Sequence, residues 1–432
     1  MPRLTGVSTQ LNLFGDDGVA ASKTSSTFAD NLKLPIHRWF RYSAGFSALW
    51  TREVIQTAIA SRVGPVRVLD PFAGSGTVVI EAAGLGCEAI GVESHPFVAR
   101  IADVKIRRDV DPEGYQPYIQ NILKRATRIA PSIDHYPALI RKCYPDEPLV
   151  ELDRLRLAWT ETTDSPYYAH GWLTLASILR QCSPVGTASW QYVLPKKTKA
   201  IVAAPRVAFR AKAAQISNDM RGWNRGFPSG VLVQADAREM TEVESGWATL
   251  VVTSPPYPNN FDYADATRLE MSFFGDVTEW SGLQESVRKH LVRSCTQHVS
   301  PIVRQTQEMI AAPEVAAIRE GLFAACTQLE SEREGHAGKK NYHTMVAAYF
   351  LDMAKVWNQL RRVTAKGGRV CFVIGDSAPY GVYIPVDQWM GELALAAGFR
   401  SVTFEKIRDR NTKWKNRKHR VPLKEGRLWV EA

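Results

Sequence analysis

The sequence predicts a doubly wound α/β sheet interrupted by two insertions and followed by a basic C-terminal segment. Two groups of observations carry that prediction. The first is Val66-Arg67-Val68-Leu69, a short run with β-branched members that leads into Asp70 and a glycine-rich turn. After it, Val78, Val79, Ile80, Ala82, Ala83 and Leu85 fit a short helix closed by Gly84 and Gly86, and Ala89 to Val92 fits a second strand. Strand, glycine turn, helix and strand make a βαβ unit, which implies a largely parallel sheet covered on both faces. The second group is the return of strand-like runs at Val231-Leu232-Val233, Thr249 to Val252 and Val370 to Ile374. The last of these follows a helix-spaced segment from Met345 to Val363 and a Lys366-Gly367-Gly368 turn.

The remaining chain is assigned around this frame. Residues 1–35 are polar and broken by Gly, Asp and Ser, and read as a flexible tail. Residues 36–108 hold the first strands, and 109–227 form an inserted region of helical pieces with aromatic and basic stretches. Residues 228–275 return to the core, 276–340 form a second insertion, 341–405 supply the C-terminal core strands, and 406–432 make the basic segment. At 432 residues, 45% hydrophobic and 23% charged, the chain can bury a core without staples, and neither disorder nor a fibrous repeat fits. No uncharged apolar run approaches the roughly 20 residues of a spanning helix. Cys87, Cys143, Cys182, Cys295, Cys326 and Cys371 are scattered with no Cys-x-x-Cys, so reduced thiols in a cytoplasmic protein are expected, with no metal centre. The first residues lack a basic-then-apolar export pattern.

The most informative segments lie at strand ends, where open α/β sheets bind ligands. Asp70-Pro71-Phe72-Ala73-Gly74-Ser75-Gly76-Thr77 ends the first strand and opens a helix. Its glycines allow positive φ and close backbone approach. A third glycine at the dinucleotide spacing is missing, as is any phosphate-loop motif, so neither cofactor class fits well. Glu93 ends the second strand, where an acid accepts ribose hydroxyls. Asp236 follows the third strand; it can accept from an adenine amine or N-cap a helix after it. Thr253-Ser254-Pro255-Pro256-Tyr257 follows the fourth strand. Two prolines stop the strand and stiffen a loop. Ser254 and the Pro255 carbonyl offer acceptors for an exocyclic amine, and Tyr257 offers a stacking face. Asn259, Asn260 and Asp262 follow and are candidates to line a pocket, with plain capping as the alternative for Asp262.

These two motifs resemble those of the amino-methyltransferases that use S-adenosylmethionine. The first motif matches Asp-Pro-Phe-x-Gly-Ser-Gly-Thr, and the second matches [Asp/Ser/Asn]-Pro-Pro-Tyr with the Ser most frequent in N4-cytosine DNA enzymes. The resemblance implies a Rossmann-like methyltransferase fold. It implies that Phe72, Gly74, Gly76 and Thr77 wrap the cofactor, Asp70 faces its amino-acid end, Glu93 takes the ribose and Asp236 the adenine. Phe46, in the segment Trp39 to Ser47, is similar to the family's methionine-contacting aromatic. The resemblance further implies transfer to N4 of a flipped cytosine in double-stranded DNA, with Ser254, Pro255, Pro256 and Tyr257 at the reacting amine. N6-adenine in DNA and an amine of structured RNA are the alternative acceptors, and a non-catalytic DNA-binding protein is a third reading. A restriction–modification setting, with a cognate endonuclease as partner, goes with the first. The motif order departs from the commonest arrangement of N4-cytosine enzymes, and Glu93 is followed by Ser94-His95-Pro96 where the family often has Asn-Pro one residue on.

The charge pattern agrees with a polyanionic partner. The chain carries 54 Lys+Arg against 44 Asp+Glu. Between Lys406 and Arg427 ten basic residues, among them Lys413, Lys415, Arg417, Lys418 and Arg420 around Trp414, face only Asp409 and Glu425. A looser basic region includes Lys196, Lys197, Lys199, Arg206, Arg210, Lys212, Arg221 and Arg225, and is the candidate for target recognition. Gln10-Leu11-Asn12-Leu13-Phe14 is similar to the short peptides with which bacterial proteins dock on the replication sliding clamp.

Overall fold

The computed structural model describes residues 28–42, 45–107, 109–187, 192–222, 230–259, 261–336, 340–410 and 422–432. The clamp-like residues Gln10, Leu11, Leu13 and Phe14 lie outside them, as do Arg225, Asn260, Lys413, Trp414, Lys415, Arg417, Lys418 and Arg420.

Nine strands form among the described residues: β1 Arg67–Asp70, β2 Glu88–Val92, β3 Val185–Thr187, β4 Val193–Thr198, β5 Val231–Val233, β6 Ala248–Thr253, β7 Thr364–Gly375, β8 Ser401–Arg410 and β9 Leu423–Glu431. Seven make the central sheet, in the order β5-β2-β1-β6-β7-β9-β8, and β3 and β4 pair separately. β5, β2, β1, β6 and β7 are parallel, while β9 runs antiparallel between β7 and β8. The order reverses direction between β1 and β6. The crevice outside their C-terminal ends is therefore the topological switch point.

The doubly wound prediction holds, and its cause is visible in the side chains. Successive residues of a strand point to opposite faces. Val68, Leu250 and Val252 belong to one apolar cluster, which takes in the helices Thr77–Gly84 and Pro96–Ile106. Leu69, Val251, Val370 and Phe372 belong to the other, with the helices Tyr342–Val363 and Val386–Ala396. Covering on both faces explains why these strands are continuous apolar runs.

The first insertion is no separate body. Tyr115, Ile119, Leu152, Trp172 and Phe209, all buried, join the same cluster as Val68 and Val78. Asp219, on the inserted helix Pro205–Arg221, is held by the segment before β1. It accepts from Ile36 N at 3.2 Å, Arg38 Nε at 3.1 Å and Trp39 Nε1 at 2.9 Å. Removing one partner of a buried charged cluster leaves the other donors unsatisfied, so Asp219→Ala should cost about 3 kcal/mol or more of stability. Urea unfolding of the variant measures it.

Two boundaries differ from expectation. β7 begins at Thr364, not Val370, and runs through Lys366-Gly367-Gly368; the irregularity is absorbed by a register shift opposite Ala248 and Leu250 and by a positive φ of 69° at Gly367. The core also does not end at residue 405. The described parts of 406–432 are the strands β8 and β9, whose basic side chains pair with acids: Arg427 with Glu405 at 3.0 Å, Arg408 with Glu425 at 2.8 Å, and Lys424 with Asp387 at 2.6 Å. Dense charge hid the strand pattern, because neighbouring strands neutralise it across the ladder. Among the described residues no helix is long and apolar enough to cross a membrane.

Candidate active site

The glycine turn is built on two strand-end carboxylates. Asp70 closes β1, is 1% exposed, and accepts from Phe72 N at 3.0 Å and Thr253 Oγ1 at 2.6 Å. Glu93, just beyond β2, accepts from Gly74 N and from His95 N, each at 2.8 Å, while its own N–H donates to Val233 O at 3.0 Å. Glu93 thus joins β2, β5 and the turn. Gly74 has φ 51°, which favours glycine, and a Cβ there would lie a tight 3.3 Å from Tyr42 Cε1, so the turn runs close against that tyrosine. Gly76, at φ 86°, begins the helix Thr77–Gly84. Lys105 Nζ donates to Ser75 O at 2.9 Å from a fully buried position beneath the turn. Sequence reading missed it; a lysine amid the apolar stripe of Pro96–Ile106 was the available signal.

Burial dominates the electrostatics here. Desolvation pushes Asp70 and Glu93 up to about 7 and brings Lys105 down to about 7. Carboxylates raised on folding stabilise below their unfolded pKa and lose that contribution as pH climbs to about 7. A lysine lowered on folding contributes stability above its unfolded pKa, and loses it as pH falls towards about 7. These three groups should therefore give the ligand-free protein a shallow stability minimum near neutral pH, which thermal melts across the pH range and a Lys105→Met control can check.

The Ser-Pro-Pro-Tyr loop stands beside this turn. β6 pairs with β1, and the Thr253–Asp70 hydrogen bond ties the start of one loop to the start of the other. Ser254 Oγ donates to Val373 O at 3.2 Å, which leaves its lone pairs to accept. The Tyr257 ring lies under the Arg410 guanidinium, 4.9 Å from ring centroid to Cζ. Arg410 Nη1 in turn donates to Asp376 O at 2.8 Å. A Cβ on Gly375 would come within 2.6 Å of Arg410 Nη1 and 3.1 Å of Tyr257 Cε2, so the absence of a side chain lets the two converge. Arg410 was read only as one charge in a basic run; its link to Tyr257 is made by β8 lying two strands from β7.

Other expected residues fall elsewhere. Phe46 is buried and packs edge-on against Trp50, 5.6 Å between ring centroids. Asp236 accepts from Arg238 N at 2.8 Å and is gripped by the Arg238 guanidinium on both oxygens; a turn follows it, not the helix that an N-cap would require. Asp262 also caps: it accepts from Ala264 N at 3.2 Å and pairs with Arg288 at 2.7 Å. In the looser basic region Arg206 pairs with Glu151 and Arg221 with Glu113, and Lys199 and Lys212 donate to backbone carbonyls. Lys196 and Lys197 are exposed on β4. Against the expectation of scattered cysteines with no metal centre, Cys295 and His298, with two residues between them, meet Asp262.

An open α/β sheet with a glycine turn between the buried Asp70 and the partly buried Glu93, and a Ser-Pro-Pro-Tyr loop beside it, is an arrangement that suits an S-adenosylmethionine-dependent methyltransferase, and the chain is similar over most of its length to two methyltransferases. It is similar to the Type II methyltransferase M.BsoBI of Geobacillus stearothermophilus, with 22% identity over 442 residues, covering 89% of this chain and 82% of that one. It is likewise similar to the Type II methyltransferase M.AvaI of a Nostoc species, with 26% identity over 407 residues, covering 88% and 82%. No family model matches. Among solved structures, an rRNA methyltransferase of Streptomyces viridochromogenes aligns over 95% of both chains at 10% identity, but its TM-score of 0.31 bears no weight. The residues fit the cofactor: the turn offers backbone at close range, and the two carboxylates offer acceptors for hydroxyl and ammonium groups.

Proposed function

We propose that this chain is the modification enzyme of a restriction–modification system and methylates the exocyclic N4 amine of a cytosine flipped out of double-stranded DNA. One observation carries the reading: Thr253, which precedes Ser254, is hydrogen-bonded to Asp70 at the head of the glycine turn, so amine acceptors and cofactor cradle share one crevice. The similarity to two Type II methyltransferases, over 88–89% of this chain and 82% of theirs, supports the DNA setting.

S-adenosylmethionine, when bound, supplies a methyl group on a sulfonium. In this reading Phe72, Gly74, Gly76 and Thr77 shape the cradle, Asp70 faces the amino-acid end and Glu93 accepts from the ribose. Phe46 backs the methionine side, and Asp236 reaches the adenine with lone pairs that Arg238 leaves over. Ser254 Oγ and the Pro255 carbonyl accept the two amine hydrogens. That draws the nitrogen towards a pyramidal shape and localises its lone pair, and the acceptors stabilise the positive charge that grows on it. Pro256 stiffens the loop, and Tyr257 stacks on the flipped base, with Arg410 behind it. Lys196, Lys197 and the basic residues 413–420 are assigned to phosphate contact.

The test is label transfer. The protein is incubated with labelled cofactor and DNA or RNA, and the modified nucleoside is identified by mass spectrometry. N4-methylcytosine in DNA is expected. N6-methyladenine or a labelled RNA nucleoside would move the acceptor and keep the chemistry; no transfer to any nucleic acid would sink both.

A further inference from the structure

In the chain that follows the Ser-Pro-Pro-Tyr loop and in the second insertion, the ligand atoms of Asp262, Cys295 and His298 lie within 4.8 Å of one another, and all three residues are about 95% buried. His298 Nδ1 lies 3.3 Å from the Val292 carbonyl, an acceptor, so that nitrogen carries a proton. In the neutral ring Nε2 is then a bare lone pair. It is buried, has no hydrogen-bond partner, and faces Asp262 Oδ1 at 3.6 Å. Two lone pairs opposed in a dry interior repel unless a cation stands between them. Arg288 does not fill that role, because it donates to the other oxygen, Oδ2, at 3.0 and 2.7 Å.

We propose that Asp262, Cys295 and His298 bind a divalent transition-metal ion of the zinc class. The donors are one carboxylate oxygen, one imidazole nitrogen and one sulfur. Thiolate with imidazole selects zinc and its neighbours over magnesium or calcium, and three protein ligands leave a fourth position open. An imidazole that donates Nδ1–H to a backbone carbonyl is oriented to present Nε2 to a metal, and an arginine on the second carboxylate oxygen fixes that ligand in the same way. The Cys295 thiol gives its proton to solvent as the metal–sulfur bond forms.

The ion would pin the second insertion to the chain that leaves the Ser-Pro-Pro-Tyr loop. Asn259 N already donates to Ser294 O at 2.9 Å, next to Cys295, and Asp262 opens the short helix Tyr263–Ala266. The role is structural, and the methyl-transfer reading does not depend on it.

Elemental analysis of the full chain, purified without a histidine tag from zinc-supplemented cells, should find about one zinc per chain. Cys295→Ser and His298→Gln should lose it. Cobalt(II) added to chelator-stripped protein should give thiolate-to-cobalt absorption in the near ultraviolet, absent in Cys295→Ser, and zinc should raise the melting temperature of the unsubstituted chain alone. Circular dichroism checks that each sample is folded; should both variants unfold, the titration of the stripped unsubstituted chain decides. A folded, stripped chain that takes up neither metal overturns the proposal, and the cluster is then an imidazolium–carboxylate pair. Metal retained by both variants places the ion elsewhere and overturns it equally.

Discussion

Alanine at Ser254 should lower turnover by roughly a hundred- to a thousandfold, the range seen when one preorganised hydrogen-bonding group at a reacting centre is removed. The hydroxyl already donates its proton to Val373 O, so what the substitution takes away is acceptor capacity facing the loop's open side. The fold should tolerate the change, since only the partly buried bonds of the hydroxyl, to Val373 O at 3.2 Å and with the Tyr257 side chain, are lost. Cofactor affinity, read by calorimetry with S-adenosylhomocysteine, should stay unchanged. Tyr257→Ala should act differently, weakening capture of the base by about 1–3 kcal/mol of lost stacking and so raising the KM for DNA. A 2-aminopurine at the target position reports whether the base still leaves the helix. If either substitution abolishes cofactor binding, the loop belongs to the cofactor and the roles are wrongly assigned.

Glutamine at Glu93 should weaken cofactor binding by about ten- to a hundredfold, the loss expected for a hydrogen bond to a charged group. The cause goes beyond charge. Both oxygens of Glu93 accept backbone N–H groups, from Gly74 and from His95. A glutamine must set its own NH2 against one of these donors, which loosens the glycine turn itself. The same carboxylate predicts a pH dependence. Its pKa, like that of Asp70, is lifted to about 7 by burial, and only the ionised form accepts from ribose hydroxyls or an ammonium group with full strength. Cofactor affinity should therefore rise with pH through about 7 and level off above it, and in Glu93→Gln the rise should shrink to the part due to Asp70. Calorimetry over that window measures both. An affinity that is flat with pH would show that neither carboxylate meets the cofactor.

Much of this was readable from residues alone because it is local. The βαβ unit from Val66 to Val92, the strand Thr249 to Val252 and the helix before β7 announce themselves through apolar spacing and glycine turns within a dozen residues. The cradle residues from Asp70 to Thr77 and the Ser254–Tyr257 loop were legible for the same reason: two prolines or two closely spaced glycines at a strand end leave the backbone few alternatives. What misled was charge. Residues 406–432 read as a basic appendage, yet their described parts complete the sheet, because Glu405, Glu425 and Asp387 supply the counter-charges from neighbouring elements.

The order of residues by itself determined the sheet's class, its strand ends and the kind of group each end offers, since those follow from short-range pattern and backbone geometry. Tertiary structure alone decided which ends meet. Asp70 and Thr253 are separated by 183 positions, Tyr257 follows the parallel strand β6 while Arg410 ends the antiparallel edge strand β8, and Cys295 and His298 find Asp262 across the start of an insertion. No periodicity encodes such contacts. They arise because burying both faces of one sheet fixes the strand order, and the strand order fixes which loops share a crevice.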